Sequence, residues 1–197
     1  MSRAVSKSSA PNRSRIAIYA IGTLLVVGVI VAIGLLNRSA VPNSASNAPI
    51  TSTLKVGSTA PEFTVPTNAG PFDLAGVSTP VLLEVFATWC PHCQRETVVL
   101  NDLAAKYAGK VALVAVSGSA QGMDGNSPES QADVNTFGAQ YNVRYPLAFD
   151  PELKVAGQYI QGGFPSLILI DKNKKVTWTA SGESSEADIV KALKKVL

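Results

Sequence analysis

Cysteine occurs at two positions only, Cys90 and Cys93, inside Thr88-Trp89-Cys90-Pro91-His92-Cys93. Two cysteines at this spacing close a small disulfide ring if a helix begins at the first and holds both sulfurs within bonding distance. The fold must therefore deliver a helix start at Cys90. Upstream, Val81-Leu82-Leu83-Glu84-Val85-Phe86 is an apolar, β-rich run; downstream, Glu96 to Tyr107 carries Val99, Leu103 and Tyr107 at intervals of four. Strand, CxxC and helix in that order belong to a redox-active dithiol. A structural zinc site takes four protein ligands and a catalytic one three, whereas this chain offers two cysteines and a single histidine, His92, trapped between them in the same turn. No metal is expected, and no cofactor beyond the Cys90–Cys93 disulfide itself.

The amino-terminal third carries a different signal. Ile16 to Leu36 is 21 residues without a charge, and at about 1.5 Å per residue such a helix spans roughly 30 Å, one bilayer core. A cleaved secretory signal has a shorter apolar core and a small-x-small site, whereas this run is followed by Asn37-Arg38 and only the poor candidate Ser46-Asn47-Ala48. The pattern predicts an uncleaved single-pass anchor. Arg3, Lys7, Arg13 and Arg15 precede it against Arg38 alone close behind, and no acid occurs before Glu62. By the positive-inside rule the amino terminus is cytoplasmic and the rest extracytoplasmic, in a compartment that permits disulfides.

The expected organisation is a basic tail over 1–15, an anchor over 16–36, a flexible Ser/Asn/Ala/Pro linker over 37–55 and one domain over 56–197. Of the 17 basic residues five precede residue 39, leaving 12 against 14 acids, a net of −2. Nothing in that balance suggests nucleic-acid binding. Within the domain, Val56 to Val65 reads as an edge strand after Ala60-Pro61 and Lys110 to Val116 as a buried strand. Ser127-Pro128-Glu129 reads as the start of a helix that turns Val134, Phe137 and Tyr141 inward. Tyr145 to Phe149 is extended, Asp150-Pro151-Glu152 starts a short helix, and Phe164 to Asp171 is a strand. A Lys172-Asn173-Lys174 turn leads to the hairpin partner Val176 to Thr179, and Ser185 caps a last helix bearing Ile189, Leu193 and Val196. Strands alternating with helices, then a hairpin and a helix, predict an α/β fold around a central mixed sheet flanked by helices.

Three motifs carry a resemblance over roughly residues 56 to 197: Gly57-Ser58-Thr59-Ala60-Pro61-Glu62-Phe63, Ala87-Thr88-Trp89-Cys90-Pro91-His92-Cys93, and Gly163-Phe164-Pro165 before a strand ending in Ile170-Asp171. The chain resembles membrane-anchored thioredoxin-like proteins of the TlpA/ResA type, which are thiol-disulfide oxidoreductases. The resemblance implies a thioredoxin-like fold, protein thiols and disulfides as substrates, and a membrane redox partner. It also implies a reducing role such as that in cytochrome c maturation. Pro91-His92 departs from the family and is the dipeptide of the disulfide-oxidising DsbA proteins, which favours an oxidising direction. The usual Asp-Gly hairpin turn is replaced by Lys172-Asn173-Lys174.

The expected roles follow from chemistry. A sulfur at a helix start faces unpaired N–H groups and the positive end of the helix dipole, which favour thiolate, so Cys90 is the expected nucleophile and the shielded Cys93 the resolving thiol. Pro91 suits the first turn. His92 is positioned by sequence to stabilise the Cys90 thiolate and so make the pair more oxidising. Glu84 interrupts an apolar strand, and in thioredoxin-like proteins an acid six positions before the first cysteine lies beneath the disulfide, where it serves as general base toward Cys93. Glu96 reads either as a family residue or as a first-turn acid favoured by the dipole. Trp89, Pro91 and Phe164 are expected docking surface. Pro165 is cis by the resemblance alone, since a trans proline starting a strand is equally permitted. Two rival classes remain, a non-enzymatic redox sensor or binding module with a structural disulfide and a peroxidase sharing the opening motif; the latter would need a Thr-x-x-Cys context and an activating arginine.

Overall fold

The computed structural model describes residues 52–197. The expected apolar helix 16–36 and most of the linker lie outside the described residues, among which no helix is long and apolar enough to cross a membrane. Ser52 and Leu54, within the expected linker, already touch the domain. The Ser52 hydroxyl donates to the Ile160 carbonyl at 2.8 Å, and Leu54 packs on apolar residues of one sheet face.

The three long apolar runs become the centre of a seven-stranded mixed sheet. They are β3 (Val81–Phe86), β4 (Ala112–Ser117) and β6 (Ser166–Ile170), preceded by a hairpin of β1 (Thr64–Thr67) and β2 (Gly70–Asp73) and joined by β5 (Leu147–Phe149) and β7 (Val176–Ser181). Strand order is β2-β1-β5-β4-β3-β6-β7. β3 runs parallel to β4 and antiparallel to β6, and β4 is parallel to β5. The sheet edge differs from expectation: Val56 to Phe63 makes only an isolated bridge at Thr59, and the edge is the β1–β2 hairpin. Pro71, which has no N–H to give a ladder, sits on the outermost strand, where none is needed.

Helix α1 (Pro91–Lys106), helix α2 (Gln131–Gln140) and the carboxy-terminal helix cover one face, and a short helix α3 (Ala156–Tyr159) covers the other. We number the carboxy-terminal helix, Glu186–Leu193, α4. Because strand residues alternate between faces, Leu82, Glu84 and Phe86 share the α1 face, while Val81, Leu83 and Val85 point to the other. All six are buried. Each of the fully buried aliphatic residues contributes roughly 1.5–3 kcal/mol of transfer free energy.

Three local expectations are corrected. Helix α2 starts at Gln131, with Ser130 as cap in a reciprocal capping box with Asp133, and not at Ser127-Pro128. The physical reason is tertiary: Pro128 pairs with Gln121 in a bridge and the Glu129 side chain is drawn to Thr88 and Ser117. Asp150-Pro151-Glu152 forms a turn and not a helix start: the Asp150 carboxylate accepts from the amides of Lys154, Val155 and Ala156, so helix α3 begins only at Ala156. The buried stripe of α1 is Cys93, Glu96, Thr97, Leu100 and Leu103, with Val99 and Tyr107 only partly covered.

Gly118, just after β4, is glycine for want of room. A Cβ there would lie 2.6 Å from Val85 Cγ1, 2.8 Å from Ala156 Cβ and 3.3 Å from Phe164 Cε1. Gly118→Ala is expected to destabilise the domain by about 1–3 kcal/mol through overpacking. Urea denaturation checks this; an unchanged midpoint would show that the wall yields.

Candidate active site

Helix α1 begins at Pro91 with Cys90 as its cap residue, so the expected helix start at the first cysteine is observed. The sulfur, however, makes no bond to the first amides of the helix. Cys90 Sγ instead lies 3.7 Å from the Phe164 carbonyl oxygen, an acceptor for its S–H. Cys93 is fully buried and Cys90 only 4% exposed, so the expected order of shielding holds but the outer sulfur sits in a recess and not on open surface.

The recess is built from three segments. The Phe164–Pro165 peptide is cis, as the resemblance implied. Trp89, 38% exposed, sets its indole edge-on to the Phe164 ring at 6.1 Å and donates from Nε1 to Ser119 Oγ at 2.7 Å. Thr88 Oγ1 donates to Glu129 Oε1 at 2.9 Å, and Ser117 donates to the other oxygen of that carboxylate. The segment from Gly118 to Ser130 thus holds both residues ahead of Cys90. Burial of Glu129 pushes its pKa up, against the pull of the two hydroxyls.

Beneath the sulfurs lie two carboxylates. Glu84 is 2% exposed and Glu96 1%. The strand alternation that places Glu84 on the α1 face and the helical spacing that places Glu96 below Cys93 converge on one apolar layer. Tyr145 OH donates to Glu84 Oε2 at 3.3 Å and the Ser184 amide to Glu96 Oε2 at 2.9 Å, while Oε1 of each acid has no partner within the protein. Glu96 is therefore not an exposed first-turn acid. Desolvation, then the neighbouring Glu96 charge, push Glu84 from its ordinary 4.5 to about 8, with the tyrosine opposing. Desolvation raises Glu96 to about 7. The Cys93 thiol is pushed far up, first by burial and then by Glu84.

His92 and Arg95 lie on the exposed side of α1. His92 Nδ1 is 2.5 Å from Glu183 Oε1, so the imidazole engages an acid from the β7–α4 turn and not the Cys90 sulfur expected for it. Arg95 Nε donates to the same oxygen at 2.9 Å. Glu183, Arg95, Glu129, Ser119 and Tyr145 were not singled out from sequence. A helix position three after His92 marks Arg95 as its neighbour, but the others arrive by tertiary contact.

A CxxC pair at a helix start, facing a cis-proline and standing over buried acids at the centre of a mixed sheet, defines a thioredoxin-like dithiol oxidoreductase. The chain belongs to the Redoxin family, whose profile matches residues 55–197. It is 31% identical over 148 residues to the thiol-disulfide oxidoreductase ResA of Bacillus cereus, covering 73% of this chain and 79% of that protein. ResA of Geobacillus thermodenitrificans is 31% identical over 146 residues, covering 72% and 78%. Among solved structures, one assigned as the thiol:disulfide interchange protein DsbE of Chlorobium tepidum superposes with a TM-score of 0.61 at 30% identity, covering 72% of this chain and 99% of that one. The protein is a thiol-disulfide oxidoreductase of the ResA/DsbE type.

The raised Glu84 pKa has a stability consequence of definite sign. Between pH 4.5 and about 8 the folded protein keeps a proton that the unfolded chain releases, so stability falls as pH rises through that window and carries no such penalty below it. At pH 7 the penalty is on the order of 3 kcal/mol. Glu84→Gln is therefore expected to stabilise the domain at pH 7, with the gain vanishing near pH 4; urea midpoints at pH 4, 6 and 8 measure it, and a pH-independent difference would mean that Glu84 titrates normally.

Proposed function

We propose that the protein is an anchored, extracytoplasmic reductant of protein disulfides, with Cys90 as nucleophile and Cys93 as resolving thiol. The observation that carries the direction is the pair of buried acids on the Cys93 side, set against a histidine whose Nδ1 is engaged by Glu183. Pairs become oxidising when their thiolate is stabilised. The sequence-based lean toward oxidation rested on His92 reaching Cys90; the imidazole is turned to Glu183 instead, and the burial that holds protons on Glu84 and Glu96 also opposes a thiolate at Cys93. The apolar run at 16–36 with basic residues ahead of it supports the anchor and its orientation.

In the reducing step the Cys90 sulfur attacks one sulfur of a substrate disulfide and releases the other as a thiolate. Cys93 then attacks Cys90 Sγ and releases the second substrate sulfur. Two electrons pass to the substrate and Cys90–Cys93 becomes the disulfide. The Cys93 proton must leave during the second attack, and ionised Glu84, directly or through a water, is the group on that face able to take it. Trp89, Pro91 and Phe164 supply the surface on which a substrate strand docks, with the backbone before Pro165 free to pair with it. A membrane carrier of unknown identity returns the disulfide to the dithiol.

Glutathione-buffer equilibration tests the direction. The expected potential lies nearer the roughly −270 mV of thioredoxin than the roughly −120 mV of DsbA; a value near the latter would restore the oxidising reading. Cys93→Ala should accumulate mixed disulfides through Cys90 in cells and Cys90→Ala few, and equal trapping by the two would reverse or dissolve the role assignment. Glu84→Gln should slow the resolving step severalfold near neutral pH, read by stopped-flow tryptophan fluorescence; an unchanged rate would remove Glu84 from the proton path.

A further inference from the structure

The turn between β7 and α4 reaches the dithiol from three sides. The Gly182 amide donates to the carbonyl of Pro165 at 2.8 Å, behind the cis-proline loop. The Ser184 amide donates to the buried Glu96 at 2.9 Å. Between these two anchors the Glu183 carboxylate projects onto the outer side of α1. Gly182 has φ +84, so the chain turns sharply enough there to put successive amides to different uses. Glu183 is thus mounted on two fixed points rather than carried on a loose loop.

Its oxygen Oε1 gathers a guanidinium and an imidazole. Arg95 Nε lies at 2.9 Å, Arg95 Nη2 also donates to it, and His92 Nδ1 is at 2.5 Å. Arg95 Nη2 is also 2.8 Å from His92 Nδ1. A guanidinium has no acceptor. Nδ1 therefore accepts from Arg95 when it is bare and donates to Glu183 when it bears a proton, and Glu183 keeps the guanidinium in both cases. His92 and Arg95 stand two and five residues beyond Cys90, in the first two turns of the helix that Cys90 caps. A cation there favours the thiolate and hence the reduced pair; a carboxylate neutralising that cation does the reverse.

We propose that Glu183 is a positioning residue that sets the reduction potential of Cys90–Cys93 by neutralising Arg95 and holding His92 on the helix turns that follow the reactive cysteine. It makes the pair more reducing than Pro91-His92 would by itself. The inference uses the exchange chemistry of the pair but not its direction in the cell, since it concerns a difference between variants.

The test is equilibration of the full-length protein, held in detergent, with defined ratios of reduced and oxidised glutathione, the protein's redox state read by thiol alkylation. Glu183→Gln keeps the side-chain length and an acceptor while removing the charge. It should shift the equilibrium toward the reduced protein about two- to five-fold, the size expected for partly exposed ion pairs, and about 0.5 M salt should shrink the shift. In a background of Arg95→Gln with His92→Gln, the same replacement should shift it little. No shift in the otherwise unchanged protein, or an equal shift in the doubly neutralised background, would overturn the proposal. The potential of the unaltered protein tests the reductant reading separately, so the two can fail independently.

Discussion

The structure turns on two carboxylates that no surface water reaches. Glu84 and Glu96 face each other's field in a layer otherwise made of Leu82, Phe86, Leu100 and Leu167, each with one oxygen lacking a protein partner. Such burial is destabilising, and a replacement of similar volume would relieve it. The rest of the domain is arranged to tolerate it: Tyr145 and the Ser184 amide satisfy one oxygen of each, and the surrounding sheet is apolar and fully paired enough to absorb the cost. A chain selected for stability alone has no use for this arrangement. The proton transfer proposed for Cys93 would give it one.

Around that layer the chemistry is held by connectors, not by the regular elements. The cis-proline loop supplies the carbonyl beside Cys90, the segment after β4 holds Thr88 and Trp89, and the turn before α4 holds Glu96, Arg95 and His92. The sheet and helices bring these connectors to one end. This division leaves the core to set stability and the loops to set reactivity, as is general for sites on rigid scaffolds.

What was legible in the sequence was what local pattern determines. The runs of β3, β4 and β6 are continuous and β-branched, so their place at the centre of the sheet followed from hydrophobicity alone. Cys90 at a helix start followed from spacing and Pro91, and Glu84 from being a charge in an apolar strand. The edge hairpin was missed because β1 and β2 are short, polar and contain Pro66 and Pro71. The inward stripe of α1 was read out of phase because three of its buried positions are Cys93, Glu96 and Thr97, residues that a hydrophobic count does not score. Ser127-Pro128 and Ser130-Asp133 are both legitimate helix starts; only the claim of Thr88 and Ser117 on Glu129 decides between them. No pattern along the chain could announce Glu183, which meets α1 from 88 residues away.

Phe164 belongs to both apolar clusters at once, reaching the layer under α1 and the layer under α3. Its carbonyl faces Cys90, its ring edges Trp89, and its rim stands where Gly118 leaves room. Val85, Ala156 and the Phe164 ring close on the same small space at Gly118. The packing of both sheet faces and the immediate surroundings of the sulfur thus meet in one residue.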